Sequence, residues 1–276
     1  MNRVAVLMTC FNRKQKTLAC LDALFKLSNK IDVFVVDDGS TDGTNAEVKM
    51  QYPQVTLLEG SGSLYWNRGM RLAWLVAQEK DYDFYIWLND DVKLLEWCFE
   101  ELFACSHIEN NQSLIVGIVQ SEDGREILYG GTGVGEQLLQ PNGDMQDIRN
   151  MNGNVVLVPR SVFSKLGNLC SVYHHDLGDI DYGYRAKRCG ISVKTTRMAV
   201  AVGYKNDICR VRKAGVSVVG RFRKLYSPLG SPPIINFYFR AKYFGAFNAI
   251  TYFVFLHVLN VLPDGVVRLF FGKRYI

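Results

Sequence analysis

The sequence predicts an α/β protein whose core is a Rossmann-like, mostly parallel sheet flanked by helices. Phe84–Leu88 is an apolar run without polar alternation, the pattern of a strand buried on both faces of a parallel sheet. Runs of this kind alternate with stretches whose apolar residues recur at helical spacing, giving the order β-α-β-α-β-α-β between residues 4 and 88. Several runs end in acids, and open α/β sheets bind ligands beyond the carboxyl ends of their strands.

In chain order, Val4–Thr9 is a first strand closing on Thr9, Cys10, Phe11 and Asn12, followed by a helix carrying Leu18, Leu21, Leu24 and Phe25. Ile31–Val36 is the second strand and runs into Asp37, Asp38, Gly39, Ser40, Thr41, Asp42 and Gly43. Acid at that point suits hydrogen bonds to a nucleoside's base or ribose, and equally suits a turn that starts a helix. Val55–Glu59 is a third strand, and the next helix presents Leu72, Leu75 and Val76 on one face. Asn67 and Arg68 lie near its start, where free backbone N–H groups favour anions such as a diphosphate. Phe84–Leu88 then ends in Asn89, Asp90 and Asp91. Oxygen ligands there suit Mg2+ or Mn2+ held mainly through a substrate's phosphates, although a solvated turn uses the same residue types.

Leu94–Cys105 reads as a helix, Leu114–Val119 as a strand, and residues 121–150 as a hairpin and loop. Val155–Val158 is a strand stopped by Pro159, and a short helix ends at Gly167. Asp179 and Asp181 open a helix that runs to Cys189-Gly190; acids in a first turn are also what the helix dipole alone would select.

The chain has 276 residues, 48% hydrophobic and 21% charged, enough to bury a sizeable core in one or two domains. Its seven cysteines are scattered and form no C-x-x-C pair, which fits reduced thiols in a cytosol. The start has no h-region of signal-peptide length, so it is expected to be a strand. The net charge of +5 is uneven: from Ile208 onward eleven Lys/Arg face Asp264 alone, a balance of +10 that leaves −5 on residues 1–207. The basic segment suits an anionic membrane surface rather than nucleic acid, for which no binding motif is present. A classical dehydrogenase would need G-x-G-x-x-G after the first strand, where TCFNRK stands; GGTGVG (Gly130–Gly135) lacks the strand-to-helix context.

Together and in order, VLMTCFNRK, VVDDGSTDGT, WNRGM, LNDDV, NGNVVLVPRSVFSKLG and GDIDYGYRAKRCG resemble the inverting family 2 glycosyltransferases of the GT-A fold, over roughly residues 1–205. The resemblance implies a GT-A domain over 1–207, with 1–92 as the nucleotide-sugar-binding half and 93–207 as the acceptor-binding half, followed by a C-terminal extension over 208–276. It implies that Asp38, with Thr9 and Asp37, holds the base and ribose, and that Asn89 and Asp91 are the outer positions of the metal-binding D-x-D, with Asp90 between them in the donor site. Asp179 falls at the Asp of the family's E-D motif and would be the catalytic base. Three positions depart from the pattern: Asn89 replaces the first Asp of D-x-D, Gly178 replaces the Glu of E-D, and Trp66 stands where many members have Arg. Members of this type assemble O-antigen, capsule or other bacterial cell-envelope glycans, often adding rhamnose or another hexose to a lipid-linked or oligosaccharide acceptor.

The chemistry itself asks for these residue types. Transfer from a nucleoside diphosphate sugar passes through an oxocarbenium-like state while negative charge grows on the leaving diphosphate, which a cation stabilises. A carboxylate on the opposite face takes the acceptor's proton, and attack inverts the anomeric centre. His174 and His175, just upstream of Asp179, are kept out of this assignment, since adjacent loop histidines are more often solvated or simply hydrogen-bonded. The rival readings are a non-catalytic sugar-nucleotide-binding or scaffold protein of the same fold, and a pyrophosphorylase, whose Gly-rich N-terminal loop is missing.

The extension carries Arg210, Arg212, Lys213, Arg221, Arg223 and Lys224 with no acid among residues 210–224, then turns aromatic. Tyr243–Leu262 is about 20 residues without Asp, Glu, Lys or Arg, the minimum for a spanning helix. Asn248, His257 and Asn260 interrupt it, and Arg240, Lys242, Arg268, Lys273 and Arg274 flank both ends. Such flanks favour a helix lying in the interface over a span, with a buried core helix as the third option. The expected location is therefore cytoplasmic, peripheral on the inner face of the cell membrane.

Overall fold

The computed structural model describes residues 2–28, 30–205, 209–272 and 274–275. They fall into two compact units, one of 1–171 with 178–205 and one of 172–177 with 206–276. The boundary read from sequence at 207/208, and the flanking Lys273, lie outside the described residues.

The first unit runs β1 (Val4–Cys10), α1 (Lys14–Leu27), β2 (Asp32–Asp37), α2 (Thr44–Gln51), β3 (Thr56–Glu59), α3 (Tyr65–Ala77) and β4 (Phe84–Leu88). It continues with β5 (Lys93–Leu94), α4 (Cys98–Ile108), β6 (Leu114–Gln120), β7 (Ile127–Tyr129), β8 (Gly131–Thr132), β9 (Asn150–Met151), β10 (Val155–Pro159), α5 (Arg160–Leu166), α6 (Gly178–Arg188) and β11 (Val193–Val202). The main sheet has the order β3-β2-β1-β4-β10-β6-β11-β5. Its first four strands are mutually parallel, as crossover helices require. β10 then runs antiparallel to both β4 and β6, while β6 and β11 are parallel.

Side-chain alternation divides the core between the two faces. Val6 and Met8 of β1 join Leu21, Leu24 and Leu102 on one side, whereas Ala5 and Leu7 join Met70, Trp74 and Trp87 on the other. α3 fully buries Met70, Ala73, Trp74 and Ala77, while Leu72 and Val76 of the face named from sequence are only partly buried against the same core. The approach is closest near the start of the helix, where a Cβ at Gly69 would lie 2.3 Å from Thr9 Oγ1.

Two further expectations are corrected. Leu94 belongs to the edge strand β5, with the helix starting only at Cys98. β11, absent from the sequence reading, hides its strand character behind Lys194, Thr195, Thr196 and Arg197. Thr196 turns its Oγ1 to accept from Ile118 N at 3.0 Å, and Arg197 makes a bidentate pair with the buried Glu101 of α4, Nη2 to Oε2 at 2.6 Å. Polar side chains there are satisfied within the fold, so polarity does not mark a loop.

The second unit contains α7 (Val218–Tyr226), α8 (Pro233–Phe244), α9 (Ala246–Val261) and α10 (Asp264–Phe271). The apolar stretch Tyr243–Leu262 is not one helix: the chain breaks at Gly245, with φ 87°, between α8 and α9. The 16 residues of α9 span about 24 Å, short of the roughly 30 Å hydrocarbon core of a bilayer. No described helix is long and apolar enough to cross a membrane.

Nor do all the basic residues of 210–224 face outward. Arg212 and Arg221 are buried and donate to the carbonyls of Leu259, Asn260 and Leu262 at the end of α9, and both pair with Asp264. Arg210 pairs with Asp176 at 2.8 Å, whereas Lys213 and Arg223 are exposed. α9 buries Ala249, Leu256, Leu259 and Asn260 and exposes Phe247, Ile250, Val254, Val258 and Val261. At 100° per residue these five occupy one stripe on the opposite side of the helix.

Candidate active site

Parallel pairing brings the carboxyl ends of β1, β2 and β4 to one edge of the sheet, carrying Thr9–Asn12, Asp37–Asp38 and Asn89–Asp91 with them. Because β10 is antiparallel, with Val155 opposite Leu88, its amino end reaches the same edge and delivers Asn152, Gly153 and Asn154.

The loop after β2 is fastened to the loop after β1. Asn12 N donates to Ser40 Oγ at 2.8 Å, Thr41 N to Asn12 Oδ1 at 2.7 Å, and Lys14 N to Asp42 Oδ2 at 3.0 Å. Asp37 accepts from Ser40 N at 3.0 Å. Asp38 is buried, and its two carboxylate oxygens accept from Gly62 N and Tyr65 N, each at 2.8 Å. A Cβ at Gly60 would lie 2.7 Å from Asp38 Oδ1, so glycine is required for this approach. Thr9 Oγ1 donates to Val36 O at 3.2 Å, underneath α3.

The loop after β4 divides its three side chains. Asn89 Oδ1 accepts from Trp66 Nε1 at 2.7 Å, and its Nδ2 donates to Asn154 Oδ1; Asn154 Nδ2 donates in turn to Asn152 Oδ1. The result is a directed chain of amides starting at the indole. Asp90 is buried, accepting from Thr17 Oγ1 and from Arg13 Nη1, both at 3.2 Å. Burial pushes its carboxyl up to about 6, and the charge of Asp91 adds to this, while Arg13 and Thr17 oppose it. Asp91 is more open, with 26% of its side chain exposed, and accepts from the same Arg13 Nη1 at 2.8 Å.

Asp179 stands at the start of α6 and accepts from Gly153 N at 2.9 Å and from Ile180 N at 2.8 Å. The departure at Gly178 has a steric cause, since a Cβ there would lie 1.8 Å from Asn67 Oδ1. Asn67 is buried in α3 and donates to Cys170 O at 2.8 Å, while Arg68 Nε donates to Ser171 O at 3.1 Å. A Cβ at Gly153 would meet Trp66 at 2.6 Å and the Cβ of Asp179 at 3.3 Å, so Trp66, Gly153 and Asp179 are packed together. Asp181 is fully buried in an ion pair with Arg185 at 3.0 Å. His174 and His175 belong to the second unit.

Arg13, Thr17, Asn152 and Asn154 were not singled out from sequence. Arg13 stood inside TCFNRK and the two amides inside NGNVVLVPR, stretches that marked the resemblance without indicating which side chains meet. Among the described residues no group of three or more His, Cys, Asp or Glu could hold a metal ion. The donor set nevertheless fits a hard divalent cation: Mg2+ typically takes one or two carboxylates beside substrate phosphates, and Asp91 with the Asn89 amide oxygen is such a set.

No curated protein sequence matches the chain. Among solved structures, the mannosyltransferase PcManGT from Pyrobaculum calidifontis, in complex with GDP-Man and Mn2+, superposes with a TM-score of 0.56 at 17% identity, covering 94% of this chain and 71% of that one. At that identity the likeness establishes the fold, which is GT-A. The family model "Glycosyl transferase family 2" matches residues 5–167. With the β2 and β4 acids on one edge and more than half its length matched, this chain belongs to glycosyl transferase family 2.

Proposed function

We propose that this glycosyltransferase moves a sugar from a nucleoside diphosphate sugar to a hydroxyl of a lipid-linked or oligosaccharide acceptor, with inversion, in cell-envelope polysaccharide biosynthesis such as that of O-antigen or capsule. The observation that supports it best is the common edge shared by the β2 acids, the β4 triplet and, through Gly153, Asp179. Asp37 and Asp38, with Thr9, shape the base and ribose end of this edge through the loops they hold, and Arg68 lies toward the diphosphate, whereas Asn67, buried on Cys170 O, packs the start of α3 and does not reach it. Asp91, assisted by Asn89 and with Asp90 behind it, holds Mg2+ or Mn2+, which supplies charge to offset that developing on the leaving group. Asp179, oriented by two backbone N–H groups, accepts the acceptor's hydroxyl proton. The acceptor oxygen bonds to the anomeric carbon as the bond to the diphosphate breaks. Turnover is expected to stop in excess chelator and return with Mn2+ or Mg2+. Undiminished turnover in chelator contradicts the cation's part.

The site of action we propose is the anionic inner face of the cell membrane, with the protein cytoplasmic and peripheral. Support comes from the apolar stripe of α9, in which Phe247 is 83% exposed, in a unit where the lone acid of residues 209–275, Asp264, is already paired with Arg212 and Arg221. Flotation with anionic vesicles tests it: wild type is expected to float at low salt, and Phe247→Ser with Val254→Ser to remain behind. Failure of wild type to float contradicts the location and leaves the chemistry untouched.

A further inference from the structure

One nitrogen of Arg13 serves both carboxylates of the β4 loop, 2.8 Å from Asp91 Oδ2 and 3.2 Å from Asp90 Oδ1. The two acids are not equivalent. Asp90 is buried and held also by Thr17, so it is a fixed partner, while Asp91 lies more in the open. The guanidinium is itself 45% exposed along its side chain and sits immediately before α1, joined to the main chain by three flexible methylenes.

We propose that Arg13 is a positioning residue that occupies Asp91 until a donor arrives and thereby makes cation binding depend on the diphosphate. This rests on the reading of Asp91 as the cation's ligand. A divalent ion on Asp91 would share that carboxylate with a positive guanidinium a few ångströms away, and the two repel. The ion alone therefore binds only by displacing Arg13. An ion that comes with a diphosphate brings a new acceptor for the displaced group, because phosphate oxygens match the guanidinium fork. Arg13 keeps its hold on Asp90 as a pivot. Cation and diphosphate then strengthen one another, and linkage requires the strengthening to be equal in both directions.

Binding of Mn2+ alone, followed through the electron paramagnetic resonance signal of the free ion, tests the proposal without turnover. Arg13→Gln is expected to bind Mn2+ about tenfold tighter than wild type, and added GDP or UDP should improve that binding less than it does in wild type. Since Arg13→Gln strands the buried Asp90, the double variant Arg13→Gln with Asp90→Asn is measured as well. Its local charge equals that of wild type, so tighter Mn2+ binding there reports lost competition and not added negative charge. Mn2+ binding no tighter than wild type in both variants overturns the proposal. If adding Asp91→Asn to Arg13→Gln leaves Mn2+ binding unchanged, the ion is not on Asp91, and the assignment of the cation falls with it.

Discussion

The edge of the sheet and the C-terminal unit both look, in sequence, like rows of exposed charge, and the fold treats them in opposite ways. At the sheet edge, buried acids hold the loops: Asp38 is taken up by Gly62 N and Tyr65 N and Asp90 by Thr17 and Arg13, whereas Asp91, with 26% of its side chain exposed, is held by Arg13 at the surface. In the C-terminal unit the buried charges, Arg212 and Arg221, fasten the end of α9, and what faces outward is the apolar stripe of α9 together with basic residues such as Lys213 and Arg223. Charge count alone therefore points to neither region's function. Burial separates the groups that build a site from the groups that act in it.

The largest effect that would sharpen this division is at Asp179. Asp179→Asn is expected to lower kcat by about 100- to 10,000-fold with donor KM close to wild type, measured in steady-state kinetics. A near wild-type kcat would remove Asp179 from the acting groups. Next comes the buried half of the comparison. Arg212→Met, which removes one donor from each of Leu259 O, Leu262 O and Asp264, should cost about 3 kcal/mol in denaturant unfolding, while Arg223→Met on the surface should change it by less than about 0.5 kcal/mol. Equal effects would break the distinction.

Asp90 gives a pH signature of the same division. Its folded carboxyl titrates at about 6, above the roughly 3.9 of an unfolded Asp, so the native state keeps a proton that the unfolded chain has lost. Stability from this group therefore falls as pH rises from about 4 to about 6, by on the order of 2–3 kcal/mol, and Asp90→Asn should flatten that part of the curve. A further effect of about this size is expected at Gly178. Gly178→Ala forces a Cβ against Asn67 and should cost about 1–3 kcal/mol, relieved in a double variant with Asn67→Gly. If the double variant is no better than Gly178→Ala alone, Asn67 is not what excludes a side chain there.

The parallel half of the fold was legible because strands buried on both faces are uniformly apolar, as in Phe84–Leu88, and their acidic endings fall on one edge by topology. β11 was not, because Lys194, Thr195, Thr196 and Arg197 make it polar, and the partners of Thr196 and Arg197, Ile118 N and Glu101, lie far away in sequence. The break at Gly245 could not be told from a helical glycine by composition, since the apolar run passes through it. At the site, Asp38, Asp91 and Asp179 could be named from motifs. The Trp66–Asn89–Asn154 chain could not, because its members are 23 and 65 residues apart and only the antiparallel β10 brings them together.

Sugar transfer itself is tested most directly by incubating the purified chain with a panel of nucleoside diphosphate sugars, Mn2+ and an extract of lipid-linked glycans. Product would be followed by proton NMR of the anomeric centre alongside the released nucleotide. Free nucleoside diphosphate is expected to appear in step with a glycoside of inverted anomeric configuration, for at least one donor. Binding of a donor without its consumption would support the non-catalytic alternative. A retained configuration, or release of pyrophosphate instead of nucleoside diphosphate, would contradict the account.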